Sequence, residues 1–130
     1  MIHAGLAPGL CLDAEGDVAA PHTPVRLSGC HGRENQRWNL SPQPAGAATI
    51  TGIGGLCLDV RGQRPGVGSS TQLYACNGGG NQLFGYEPDG KIRELATGFC
   101  LTATSMSVGA AVVAMPCEVR NPSQSWVMDR

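Results

Sequence analysis
The sequence predicts an all-β domain made of three copies of one unit, and three observations carry that reading. A pair of cysteines followed by a Gln-Xaa-aromatic triplet recurs three times. The second cysteine lies 19, 19 and 17 residues after the first, and the triplet's glutamine six, six and seven residues after that. Short apolar runs alternate with turns drawn from 19 glycines and 9 prolines, the pattern of many short strands. No long stretch repeats apolar residues at helical spacing.

Each copy reads as four strands. In the first they fall near Ile2–Ala4, Leu10–Asp13, Val25–Ser28 and Arg37–Leu40; in the second near Ala48–Ile53, Leu56–Val60, Thr71–Ala75 and Leu83–Glu87. In the third they fall near Lys91–Leu95, Cys100–Ala103, Ala111–Met115 and Ser125–Met128. Turns are expected at Gly54-Gly55, Arg61–Ser70, Asn77–Asn81 and Asp89-Gly90. The copies run over about residues 1–44, 45–89 and 90–130, so one domain spans the chain. Three copies are too few for a propeller of ~4–8 blades, and the polar end caps of a solenoid are not evident. A closed, three-lobed barrel fits, because closure leaves no sheet edge exposed.

Composition excludes several classes. With 42% hydrophobic residues the chain can fill one core. A net charge of −1 provides no basic footprint for nucleic acid. The longest apolar run, Ala110–Met115, is too short to span a bilayer. Met1-Ile2-His3-Ala4 lacks the basic and apolar regions of a signal peptide.

The segments Leu10-Cys11-Leu12-Asp13, Leu56-Cys57-Leu58-Asp59 and Phe99-Cys100-Leu101-Thr102 align by cysteine. The closures are Gln36-Arg37-Trp38, Gln82-Leu83-Phe84 and Gln124-Ser125-Trp126. Over nearly its whole length the chain resembles the ricin-B-type β-trefoil lectin family, which includes carbohydrate-binding modules appended to bacterial polysaccharide-degrading enzymes. The resemblance implies a β-trefoil of twelve strands, one potential sugar site per repeat, and secretion.

Six cysteines allow fifteen full pairings. The scheme that repeats identically in each copy is Cys11–Cys30, Cys57–Cys76 and Cys100–Cys117. Each bridge would close a loop of about 20 residues, worth roughly 3 kcal/mol in the chain-entropy model, and would imply an oxidising compartment. No two cysteines have the tight spacing of a metal site, and His3, His22 and His31 show no metal-binding pattern. No metal or cofactor is expected. Alternation along a strand would put each triplet's glutamine and aromatic on one face, the aromatics filling the core and the glutamines satisfying backbone groups.

A pyranose offers adjacent hydroxyls on one edge and C–H groups on one face. An ionised Asp can accept from two hydroxyls, amides can donate and accept, and an aromatic ring can cover the C–H patch. The second copy has every part. By resemblance Asp59, Tyr74 and Asn81 carry binding, helped by Gln72 and Asn77. The first copy is partial: Asp13, Arg26, His31 and Asn35 are its weaker candidates, with Ser28 where the ring should stand. His31 can also be read as a solvated loop residue. In the third copy Thr102, Val113, Met115 and Ser123 replace the clamp and the platform, leaving scaffold.

A glycosidase would need two carboxylates across one bond. No copy offers more than one at its recognisable site, and Glu15, Asp17, Glu87, Asp89 and Glu94 read as solvated charges in loops or turns. The expectation is a non-catalytic, secreted glycan binder that takes galactose or lactose through the middle repeat and, more weakly, the first. The alternatives are a xylan-targeting module cut from a larger enzyme and a trefoil with decayed sites acting as a protein-interaction scaffold. A covalently linked catalytic domain in a parent protein is the expected partner besides the glycan.

Overall fold
The structure is a computed structural model that describes residues 1–43, 47–62 and 66–128. Part of the turn expected at Arg61–Ser70, and the boundary between the first two copies, lie outside the described residues. The first repeat holds β1 (Ile2–Ala4), β2 (Leu10–Ala14), β3 (Val25–Gly29) and β4 (Asn39–Pro42). The second holds β5 (Ala48–Thr51), β6 (Cys57–Val60), β7 (Ser69–Tyr74) and β8 (Phe84–Tyr86). The third holds β9 (Ile92–Glu94), β10 (Cys100–Ala103), β11 (Val112–Met115) and β12 (Trp126–Met128).

Two kinds of pairing build the trefoil. Outer strands join antiparallel as β1 with β12, β4 with β5 and β8 with β9, while β2–β3, β6–β7 and β10–β11 form hairpins. The hairpins converge through β3, β7 and β11: Pro24 bridges Gln72, Arg26 bridges Ala111, and Val113 pairs with Ser70. Thr71 ties this junction together, its hydroxyl lying within hydrogen-bond reach of both the Val25 and the Val112 carbonyls, at 3.1 and 2.9 Å, so that its one hydrogen is shared between them.

The core repeats with the chain. Ile2, Ile50 and Ile92 come from the first strands, Leu12, Leu58 and Leu101 from the second, and Trp38, Phe84 and Trp126 close each unit. The residue after each first cysteine is apolar and buried because the hairpin turns that face to the barrel axis. Trp38 and Trp126 each donate their indole N–H to a β2 or β10 carbonyl, Leu12 and Leu101. Phe84 has no such donor.

Three local disulfides join Cys11–Cys30, Cys57–Cys76 and Cys100–Cys117, with Cα–Cα distances of 5.2, 5.1 and 5.1 Å. The triplet glutamines are not on strands, as alternation had suggested. Each is the last residue of a 3-10 turn, Glu34–Gln36, Gly80–Gln82 or Pro122–Gln124, just ahead of its repeat's closing aromatic. The expected turn at Gly54-Gly55 is likewise part of a 3-10 turn, Ile53–Gly55.

Glu94 also departs from the expected solvated charge. It is fully buried on β9 and accepts from the backbone N–H and the hydroxyl of Thr97. Glu87, by contrast, pairs with Arg93 at 2.9 Å on the outside of the β8–β9 hairpin.

Candidate functional site
The three triplet glutamines make the same set of bonds in each repeat. Gln36, Gln82 and Gln124 accept from the backbone N–H of His31, Asn77 and Glu118 at 2.8, 2.9 and 2.8 Å. They donate to the carbonyls of Gly29, Ala75 and Pro116 at 2.8, 2.9 and 2.9 Å. The remaining amide hydrogen reaches Asp13 (2.8 Å), Asp59 (2.8 Å) or the Thr102 hydroxyl (3.1 Å). These buried amides pin the end of each hairpin, and they also fix the carboxylate that two of the repeats carry.

In the middle repeat, Asp59 and Gln72 face each other across β6–β7, and Cys57 faces Tyr74. Asp59 is 2% exposed. Its Oδ1 accepts from Gln72 Nε2 at 3.1 Å, and its Oδ2 from Gln82 Nε2 and from Asn81 Nδ2 at 2.8 and 3.2 Å. A carboxylate offers about four acceptor positions, so one remains, on Oδ1. Three protein amides thus hold the carboxylate in place at the base of the cleft.

Asp59, Gln72, Tyr74, Asn77 and Asn81 line one open cleft of about 310 Å3. Tyr74 is half-buried with its ring on the cleft wall. Asn81 also donates to the Val60 carbonyl at 3.1 Å, and Asn77 Oδ1 accepts from Gly79 N at 2.8 Å. Gly79 permits this crowding, because a Cβ there would stand 2.7 Å from Asn81 Oδ1 and 3.0 Å from Asn77 Oδ1. The cleft thus pairs a flat ring with acceptors and donors at short range.

A sixth wall residue, His22, comes from the first repeat. Its backbone N–H donates to the Leu73 carbonyl at 2.8 Å, and Leu73 N donates to the Thr23 carbonyl at 2.8 Å, so the loop before β3 docks along β7. The imidazole lies with its centroid 5.1 Å from that of Tyr74, tilted by 56°, and Nδ1 is 3.2 Å from Gln72 Oε1. Because Gln72 gives its N–H to the acceptor-only Asp59, its oxygen must face His22. His22 Nδ1 is therefore the protonated nitrogen.

His22 was missed in sequence, where only its metal spacing was weighed. One signal was available in the repeat itself. The equivalent residues are Gly68 and Gly109, whose N–H groups donate to Ala114 and Leu27 as His22 does to Leu73. All three have left-handed backbones, with φ of 71°, 83° and 86°. Glycine adopts that conformation freely, whereas an L-residue pays about 1–2 kcal/mol.

In the first repeat, Asp13 accepts from Asn35 Nδ2 at 3.1 Å and Gln36 Nε2, and His31 Nε2 lies 3.5 Å from Asp13 Oδ2. His31 is thus an exposed loop residue whose ring also approaches the carboxylate. Asn35 is buried, Arg26 turns to Glu15 with Nε 3.3 Å from Oε2, and Ser28 provides no ring. In the third repeat the Thr102 hydroxyl donates back to the Cys100 carbonyl at 3.0 Å. His3, Cys11 and Cys30 place three ligand-type atoms within 4.8 Å, but both sulfurs belong to one disulfide and offer no thiolate. No helix among the described residues is long and apolar enough to cross a membrane.

No curated protein matches the chain. Among solved structures, the chain is 25% identical to a designed threefold-symmetric protein, ThreeFoil, covering 96% of this chain and 93% of that one with a TM-score of 0.89. It is 23% identical to a non-toxic homologue of type II RIPs from Momordica charantia, solved with α-methyl-D-galactoside (97% and 45% covered, TM-score 0.78). It is also 23% identical to the Polyporus squamosus lectin, solved with Neu5Acα2-6Galβ1-4GlcNAc (97% and 46% covered, TM-score 0.82). The chain therefore spans less than half the length of these last two proteins, and the likeness to them is one of fold. The model of the family described as "Ricin-type beta-trefoil lectin domain" matches residues 46–130. With that match over most of the chain, on a threefold barrel of twelve strands, the protein belongs to the ricin-type β-trefoil lectin family of carbohydrate-binding domains.

Proposed function
We propose that the chain binds a galactose-type hexose reversibly, without catalysis, in the cleft of the middle repeat. The observation that carries this reading is the convergence of Asp59, Gln72, Tyr74, Asn77 and Asn81 on one open cleft. The C–H face of the sugar lies on Tyr74, and one ring hydroxyl donates to the remaining acceptor position of Asp59. Asn77 and Asn81 meet its neighbours. The protein solved with α-methyl-D-galactoside shares this fold, which makes galactosides the first ligands to try.

In the first repeat Asp13, Arg26, His31 and Asn35 form the weaker site, since no ring covers a sugar's C–H face and His31 already approaches the carboxylate. The third repeat is scaffold. A single shallow site gives an affinity of about millimolar, or ~4 kcal/mol. Retention on a glycan surface then comes from linkage to another domain. Three disulfides suit an extracellular setting.

Titration with lactose, with xylo-oligosaccharide as comparator, tests the reading in wild type and Tyr74→Ala. Loss of the stacking ring should weaken lactose binding about tenfold, the equivalent of ~1.4 kcal/mol. Lactose binding that is absent in wild type, or unchanged in Tyr74→Ala, would overturn the assignment. Tighter binding of the xylo-oligosaccharide would replace the galactose-type ligand with a xylan-type one.

A further inference from the structure
Beside the sugar cleft lies a smaller pocket of about 90 Å3, at the junction where β3, β7 and β11 meet. His22 and Gln72 line both, so the two cavities share a wall. The small pocket is roughly three waters in volume, taking ~30 Å3 for each. It has room for a carboxylate or sulfate and none for a second hexose ring.

Both charged residues of its lining are basic, Arg26 of β3 and Arg61 just beyond β6, and Ser70 adds a hydroxyl. Arg61 makes no ion pair among the described residues. Arg26 meets Glu15, but both side chains are about half exposed, at 43% and 55%. A pair that open to solvent is weak, so its guanidinium can turn to another anion. No carboxylate lines the pocket itself.

His22 is the residue that makes the junction unusual. The other two repeats place glycine at its position, where the backbone is left-handed. Only the copy that overlooks both cavities carries a side chain there. A strained residue held at a cavity is a reason to look for a function.

We propose that this pocket is an anion subsite, and that the middle-repeat cleft prefers a hexose bearing an acidic substituent. This deepens the reading of the cleft as a sugar site and rests on it. The hexose stacks on Tyr74 as before. The acidic group passes His22 and is held by the guanidinium groups of Arg61 and Arg26, which can engage a carboxylate or sulfate through paired N–H donors.

The experiment is a set of titrations with lactose, lactose whose galactose C6 is oxidised to a carboxylate, and lactose sulfated at the same carbon, at low and high salt, on wild type, Arg61→Gln and His22→Gly. The acidic sugars should bind about five- to tenfold more tightly than lactose at low ionic strength, and the advantage should shrink as salt screens it. Which of the two acidic sugars gains more identifies the anion as carboxylate or sulfate. Arg61→Gln should remove most of the advantage while leaving lactose affinity as in wild type. His22→Gly restores the residue of the sister repeats and so should fold, and it should also reduce the advantage. Equal binding of neutral and acidic sugars, or an advantage that survives both variants, overturns the subsite and leaves the lactose site standing. Absence of binding by every sugar removes the underlying site as well.

Discussion
Gln82 has no solvent-exposed surface, and its amide bonds the Asn77 N–H, the Ala75 carbonyl and the Asp59 carboxylate. Truncating it takes a donor from the buried Asp59 carboxylate and leaves two exposed backbone groups, of Asn77 and Ala75, to water; an unsatisfied buried group costs about 1–3 kcal/mol. Gln82→Ala is therefore expected to lose about 1–3 kcal/mol in urea unfolding, with the equivalent Gln124→Ala behaving alike. Asp59→Ala is a poor probe of sugar binding for a related reason: it removes the acceptor of three amides and should lower stability along with any affinity. Tyr74→Ala removes a half-buried ring with no described hydrogen bond, so its effect on binding can be read more directly. His22→Gly relieves left-handed strain but adds freedom to the unfolded chain, effects of ~1–2 and ~0.5–1 kcal/mol that oppose each other. Its melting temperature should stay close to wild type. A drop corresponding to several kcal/mol would mean that the imidazole is a structural strut.

At the scale of an element, the close approach of the chain after β5 to the first repeat's indole sets a firm limit. A Cβ on Gly52 would stand 2.6 Å from Trp38 Cζ3, inside van der Waals contact with a rigid ring. Gly52→Ala should cost about 1–3 kcal/mol by overpacking, visible as a lower thermal midpoint. The turn between β8 and β9 carries a different effect. The Lys91 ammonium, 2.7 Å from Asp89 Oδ2, and the Lys91 backbone N–H hold the Asp89 carboxyl below its ordinary pKa. A carboxyl depressed in the folded state contributes stability above its unfolded pKa and loses it as pH falls through the folded one. Asp89→Asn should therefore flatten a small part of the acid limb of the stability curve, and a limb of unchanged slope would show the pair to be energetically silent.

For the molecule as a whole, the three disulfides each close a loop of fewer than twenty residues and join neighbours within one hairpin. The loop-entropy estimate of roughly 3 kcal/mol apiece makes reduction a severe perturbation for a domain of this size. Thermal unfolding with and without a reductant should differ by well over ten degrees, and a similar midpoint in both would mean that the barrel's core alone sustains the fold.

The repeat made the architecture legible from the chain alone. Cysteine spacing, the apolar residue after each first cysteine and the closing aromatics each mark one place in a threefold frame, and all twelve strands fall close to their expected positions. Five residues of the cleft could be named because they occupy the two strands and the turn of a single hairpin unit. Sequence alone set the three-copy barrel, the local disulfides and the inequality of the repeats, because these depend on residue types at fixed offsets. Tertiary structure decided that the glutamines leave the strand to seat Asp59, that Glu94 is buried, and that the first repeat lends His22 to the second. Those outcomes arise where one repeat's loop meets another's strand, 50 residues away in the case of His22 and Gln72, and no periodicity within a copy specifies which side chain arrives there.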